Sequence, residues 1–174
     1  MSENAYRIAV LTKYVPDTQF EQKLDDTLRV DRSESVMSEL DEYAVEAAMQ
    51  IVEAEDTDAA NSAVIAFTLG AADASKGLRR ALQLGAHEGV HILDDAFAGA
   101  DALATSHIIA AALSTYEQEH GTFDLILTGM ASTEGETSLV PVQVSELLEH
   151  TGISQVASLS IAGRAVRARR DLDT

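Results

Sequence analysis

The residues best suited to chemistry lie in three short segments. The first, residues 129–138, reads Gly129, Met130, Ala131, Ser132, Thr133, Glu134, Gly135, Glu136, Thr137, Ser138. It follows an apolar run and precedes a helical pattern. Two glycines and several hydroxyls there offer free N–H groups, a helix dipole and side-chain donors to a phosphate. Thr133 and Glu136 also have capping-box spacing, so a capped loop without a ligand fits the same residues. The segment carries neither GxxxxGK[ST] nor GxGxxG. The second segment, residues 12–18, holds Lys13 as a possible anion partner, with Pro16 and Asp17 shaping a turn; an ordinary strand exit is the bland reading. The third holds Ser38, Glu39, Leu40 and Asp41, where Ser38 and Asp41 suit the cap of a helix.

Other chemistry finds little support. His87, His91, His107, His120 and His150 show no HExxH or other metal spacing. No nucleophile elbow or Ser/His/Asp order is present. The chain has no cysteine, which excludes disulfides, thiolate metal sites and a cysteine nucleophile.

These segments need elements to hold them. Residues 7–11, 63–67 and 123–127 are nearly unbroken apolar runs, and 90–93 is a shorter one. Such runs suit strands buried on both faces. Helical stripes lie between and after them: Ala44, Ala47, Ala48, Ile51; Leu78, Ala81, Leu82; Thr105, Ile108, Ile109, Ala112, Leu113, Tyr116; and Val140, Val144, Leu147, Leu148. Gly85 and Gly152 sit where helices would stop. The alternation predicts βαβ units: an α/β fold with a mostly parallel sheet and helices on both faces. Ligands of such sheets bind at the carboxyl ends of the strands, where strand order reverses.

Two stretches interrupt the rhythm. Residues 14–37 carry many charges and little periodicity, with Leu28, Arg29 and Val30 as a short strand or hairpin arm. A connection this long is expected to be functional or disordered. Near the end, residues 156–161 read as a strand, Ala162 and Gly163 as a turn, and 164–170 as a returning strand. The chain then stops at Asp171, Leu172, Asp173 and Thr174 without a closing element, as a shortened domain would.

The 174 residues suit one domain, 1–174. Twelve basic residues against 29 acidic ones leave a net charge of −17. That field repels nucleic-acid phosphates, so DNA or RNA binding is not expected. A single nucleotide remains compatible, because backbone N–H groups act locally. No run is long and apolar enough for membrane insertion. The start, Met1 to Ala5, has no signal-peptide character, and the expected location is cytoplasmic.

Taken in order, four patterns resemble the β subunit of electron transfer flavoproteins (the FixA/EtfB type). They are K-x-V-P-D-T at Lys13 to Thr18, D-E-x-A-V-E-x-A at Asp41 to Ala48, and R-x-A-L-x-x-G-A around Arg79 to Ala86. The fourth is D-L-I-L-x-G-x-x-S-T-D-G at Asp124 to Gly135. The resemblance implies a three-layer Rossmann-like fold of the adenine nucleotide alpha hydrolase type. It implies a non-catalytic electron-transfer subunit that buries a structural AMP and pairs with an alpha subunit carrying FAD. In the bifurcating branch, FAD takes the place of AMP. Flavin dehydrogenases such as acyl-CoA dehydrogenase donate electrons, and a quinone reductase or another acceptor receives them.

Carried over by position, the nucleotide would touch Leu11 and Lys13, Ser38 to Asp41, Leu69 and Gly70, and the loop from Gly129 to Ser138. Glu134 stands where the family has Asp, Thr137-Ser138-Leu139 where T-G-Q often follows, and Ser38-Glu39-Leu40 where Asn-Pro-Phe is usual. The family pattern continues beyond residue 174, through a part that packs on the alpha subunit and recognises dehydrogenases. A stand-alone nucleotide-binding regulatory domain of the universal-stress type is the alternative, although its Gly-x-x-Gly loop is missing. A hydrolase or ligase of the same superfamily would need an S-G-G-x-D-S loop where Lys13 to Thr18 stand.

Overall fold

The computed structural model describes residues 4–26 and 28–170. The expectations for the first three residues and for residues 171–174 lie outside the described residues. Four parallel strands form the central sheet: β1 (Arg7–Thr12), β4 (Ala63–Leu69), β5 (Glu88–Ile92) and β6 (Leu125–Thr128), in the order β5-β4-β1-β6. Ile8, Ala9 and Val10 are wholly buried, and so are Val64 and Ala66. This two-sided burial explains why the strands read as apolar runs rather than alternating ones.

Alternate residues serve opposite faces. Ile8, Val10, Val64 and Ala66 meet α1 (Glu39–Val52) and α2 (Ser75–Gln83) in one core layer. Ala9, Leu11, Ile65 and Phe67 meet α3 (Ala102–His120) and α4 (Val140–Leu147) in the other. The result is a three-layer, Rossmann-like α/β arrangement, as the alternation predicts. From β1 the chain moves outward through β4 to β5, then returns across to β6 on the far side of β1. The strand order therefore reverses between β1 and β6, and the crevice of this fold opens there.

Several local expectations need correction. Strand β6 begins two residues later than the apolar run, because Phe123 turns aside to pack edge-on against Phe67 and stack on Tyr116. The buried face of α3 is Ser106, Ile109, Ala110 and Leu113, rotated from the predicted stripe. Ser106 is tolerated inside because its hydroxyl donates to Ala102 O at 2.8 Å and lies 2.8 Å from the Gln143 side-chain amide, which can donate to it. Gly85, with φ 112°, does end α2. Gly152 does not end α4; Glu149 takes the left-handed position at φ 55°. Gly152 instead permits close approach to Ser145, whose Oγ a Cβ at that position would meet at 2.6 Å.

The long connection 14–37 is folded back on itself. β2 (Tyr14–Pro16) pairs antiparallel with β3 (Ser35–Met37), bringing Tyr14 opposite Met37. Beyond that pair Asp17 N–H donates to Glu34 O, and Leu24 bridges to Val30. The hairpin arm expected at 28–30 is present as a short turn without a full strand: Asp25 N–H donates to Arg29 O at 2.7 Å and Asp31 N–H to Lys23 O at 2.8 Å, on either side of the Leu24–Val30 bridge. Val15 and Met37 are buried and pin the base of the excursion to the body. Near the end of the described residues, β7 (Val156–Ala162) and β8 (Ala165–Arg170) form the expected hairpin, turning at Gly163 with φ 57°. The hairpin is fastened below the sheet: Tyr6 OH donates to Gly163 O at 2.9 Å, and Arg164 pairs with Asp124.

Candidate functional site: the crevice between β1 and β6

The exits of β1 and β6 lie side by side, since Leu11 pairs with Thr128. The next residues are Thr12 and Lys13 on one strand and Gly129 on the other. Thr12 and Thr68 lock the neighbouring exit of β4: Thr12 Oγ1 donates to Phe67 O at 3.1 Å, and Thr68 Oγ1 donates to Thr12 O at 2.9 Å.

The first turn of α1 closes the inner end of the crevice. Ser38 N–H donates to Lys13 O at 2.9 Å. The capping box expected of Ser38 and Asp41 does not form, and Ser38 makes no side-chain cap bond. Asp41 reaches across instead. Its Oδ2 accepts Lys13 N–H at 2.7 Å, and its carboxylate also takes Gly129 N–H. One buried side chain thereby ties both strand exits to the helix. The hydroxyl of Ser38, fully buried, faces this carboxylate without reaching good hydrogen-bond geometry. Burial pushes the Asp41 carboxyl up to about 7, against the opposing pull of the two N–H donors and the Lys13 charge. A Cβ on Gly129 would collide with Asp41 Oδ1 and lie 3.1 Å from the Leu40 carbonyl carbon, so only glycine fits there. The backbone N–H groups of Lys13 and Gly129 are consequently spent on Asp41. A ligand's anion has to use other donors.

Those donors lie on the outer rim. Lys13 Nζ donates to Ser132 Oγ at 3.3 Å and pairs with Glu134. Arg32, from the folded-back excursion, holds the other oxygen of Glu134 at 2.6 Å. Gly135 N–H reaches Ser132 Oγ at 3.3 Å, and Glu136 N–H reaches Ser132 O at 2.9 Å. Glu136 and Ser138 have φ of 44° and 52°. The capping box expected of Thr133 and Glu136 is absent because α4 starts only at Val140, after Leu139. Beside this rim lies a cavity of about 200 Å³ lined by Pro16, Thr18, Gln22, Val30, Thr133 and Glu134.

The structure thus brings together Lys13, Ser38, Leu40, Asp41, Gly129, Ser132, Glu134 and Gly135. It places the others less centrally. Leu11 is packed into the α3/α4 core layer. Leu69 and Gly70 lie at the same sheet edge but bond toward β5, through Gly70 N–H to Ile92 O and Gly70 O to His91. Glu39, Met130, Thr133, Thr137 and Ser138 are exposed, and Ala131 is half-buried. Sequence reasoning missed Arg32 and Gln22. They sit in an aperiodic stretch, and nothing in their spacing signals that the chain doubles back.

A doubly wound α/β layer whose strand order reverses between β1 and β6 defines the class: a Rossmann-like domain. A family model described as "Electron transfer flavoprotein domain" matches residues 27–174, and the chain belongs to that family. It is 37% identical over 169 residues to the electron transfer flavoprotein subunit beta of Mycobacterium leprae, covering 95% of this chain and 62% of that protein. It is 32% identical over 170 residues to the caffeyl-CoA reductase-Etf complex subunit CarD of Acetobacterium woodii, covering 96% and 62%. Protein FixA of Azorhizobium caulinodans is 29% identical over 168 residues, with coverage of 94% and 58%. The chain thus spans about 60% of the length of these relatives. Among the described residues, no helix is long and apolar enough to cross a membrane, and no group of His, Cys, Asp or Glu is arranged to hold a metal ion.

Proposed function

We propose that this chain is the nucleotide-holding domain of an electron transfer flavoprotein beta subunit, and that it takes part in electron transfer without catalysing a reaction itself. AMP fills the crevice between β1 and β6 as a structural ligand. Its phosphate lies against Lys13, Ser132 and backbone N–H groups of the loop 131–138, and apolar strand ends flank the base. The redox-active FAD belongs to an alpha subunit, and flavin dehydrogenases such as acyl-CoA dehydrogenase supply the electrons.

The observation that carries this reading is the convergence of Lys13 and Ser132, from strands at the switch point, on one rim beside an open cavity. Both carboxyl groups beside that rim already have partners, Asp41 in the Lys13 N–H and Glu134 in two cations. A tightly bound nucleotide would also add a few kcal/mol of stability by mass action.

The test is direct. The purified protein is denatured, and released small molecules are identified by chromatography and mass spectrometry. Near one AMP per chain from a colourless protein supports the reading. A yellow protein releasing FAD replaces AMP with FAD in this site. A chain that releases no nucleotide and shows no AMP binding at millimolar concentration overturns it.

A further inference from the structure

We propose that Lys13, Glu134 and Arg32 form a charge clasp that closes the crevice with the chain's own carboxylate, so that Glu134 determines which anions the crevice admits. This rests on the nucleotide reading for the ligand's identity, though not for the clasp itself.

The geometry is specific. The Glu134 side chain is only 8% exposed, while Lys13 and Arg32 are 44% and 52% exposed. The acid is therefore inside and the two cations cover it from the rim. Its two oxygens are divided, Oε1 to Lys13 and Oε2 to Arg32. The cations come from different parts of the chain. Lys13 follows β1, and Arg32 lies in the return arm of the excursion between β2 and β3. Glu134 lies in the loop after β6. A single carboxylate thus fastens the excursion to that loop, across the cavity both of them line.

Burial alone would raise the Glu134 carboxyl, but its ion pairs with Arg32 and Lys13 outweigh it and hold the group below its usual range. Glu134 therefore stays ionised at neutral pH. It occupies, as a carboxylate, the cations that a phosphate monoester would need. Entry of the phosphate requires exchange of one anion for another at Lys13. The clasp disfavours weakly charged ligands, which cannot repay the broken ion pairs, and it holds the excursion down when no ligand is bound. Asp at this position is one methylene shorter and would hold one cation at a time.

The experiment uses the whole chain and two readouts. Hydrogen exchange of residues 17–34 and 129–138 is measured without ligand in the wild type, E134Q and R32Q. AMP and inorganic phosphate are then titrated calorimetrically at low salt. Opening of the clasp predicts exchange roughly tenfold faster in both segments for E134Q and R32Q, with the rest of the sheet unchanged. It predicts AMP binding to E134Q roughly tenfold tighter than to the wild type, and no such gain in R32Q, which also loses a cation. E134D, which keeps the charge, should fall between wild type and E134Q in exchange. Unchanged exchange in E134Q and R32Q would overturn the clasp. Weaker AMP binding in E134Q would overturn the gating role and make Glu134 a ligand contact. Accelerated exchange with no AMP or phosphate binding by any variant would support the clasp and defeat the nucleotide reading instead.

Discussion

Asp41 is the residue on which the crevice's shape depends most. A carboxylate between two strand exits replaces the water those N–H groups would otherwise bind, and Gly129 lets it come close. Because burial holds its pKa up at about 7, the folded state keeps a proton that the unfolded chain, with an ordinary aspartate's 3.8, has already lost. The stability this protonation contributes is fully present below the unfolded pKa and is lost as pH rises through about 7. Across pH 5–7 the loss is at most about 3 kcal/mol, at roughly 1.4 kcal/mol per pH unit. D41N cannot titrate. It keeps one acceptor oxygen but sets an amide against the second N–H, a cost that does not vary with pH. Urea unfolding of both proteins from pH 5 to 8 should show the D41N deficit shrinking as pH rises. A deficit constant across that range would mean that Asp41 does not titrate there. Glu134 does not confuse the comparison. Its lowered pKa places its own contribution above the usual carboxylate range, lost only as pH falls below it.

Helix ends tell how far the sequence can be read. At α2, Gly85 N–H reaches Leu82 O at 3.1 Å and Ala86 N–H reaches Ala81 O at 3.1 Å, the paired bonds of a glycine-ended helix. At α4 the same bonds form with Glu149 in glycine's place: Glu149 N–H to Glu146 O at 3.1 Å and His150 N–H to Ser145 O at 2.9 Å. An L-residue in this conformation is strained by roughly 1–2 kcal/mol, partly offset by the extra chain entropy glycine would lose. E149G should therefore stabilise the protein by about 1 kcal/mol, read as a higher denaturant midpoint with an unchanged slope. A lower midpoint would show that the Glu149 side chain contributes more than its backbone costs.

The strands and helices were legible because burial on both faces leaves unbroken apolar runs, and burial on one face leaves a 3.6-residue stripe. Parallel topology puts the exits holding Lys13 and Ser132 on one sheet edge, and the strand order makes them neighbours. The roles of Asp41 and Arg32 were not legible. Asp41 matches a cap pattern, yet two N–H groups distant in sequence compete for its carboxylate and win. Arg32 reaches Glu134 only because Val15 and Met37 anchor an excursion that has no periodicity of its own.

For the molecule as a whole, a net charge of −17 on 174 residues is the dominant long-range term. The positive charge is also unevenly spread: Arg164, Arg167, Arg169 and Arg170 fall within the final hairpin, leaving the sheet and its helices more acidic than the average. Folding brings these carboxylates together, so repulsion is greater in the compact state than in the expanded chain. Salt should relieve it. The Debye length falls from about 30 Å at 0.01 M to about 8 Å at 0.15 M, below the width of the domain. Opposing this, salt weakens exposed pairs such as Arg80 with Glu42, which solvent already screens at 47% and 32% side-chain exposure. Repulsion among many carboxylates outweighs a few such pairs, so Tm should rise as sodium chloride is raised over that range. Each kcal/mol gained corresponds to about 2–4 °C for a domain of this size. Chloride is the salt to use, since sulfate or phosphate would compete with Glu134 for Lys13 and add a binding contribution. A Tm that falls with chloride would mean that the ion pairs, the Lys13–Glu134–Arg32 clasp foremost, stabilise the fold more than its acidity strains it.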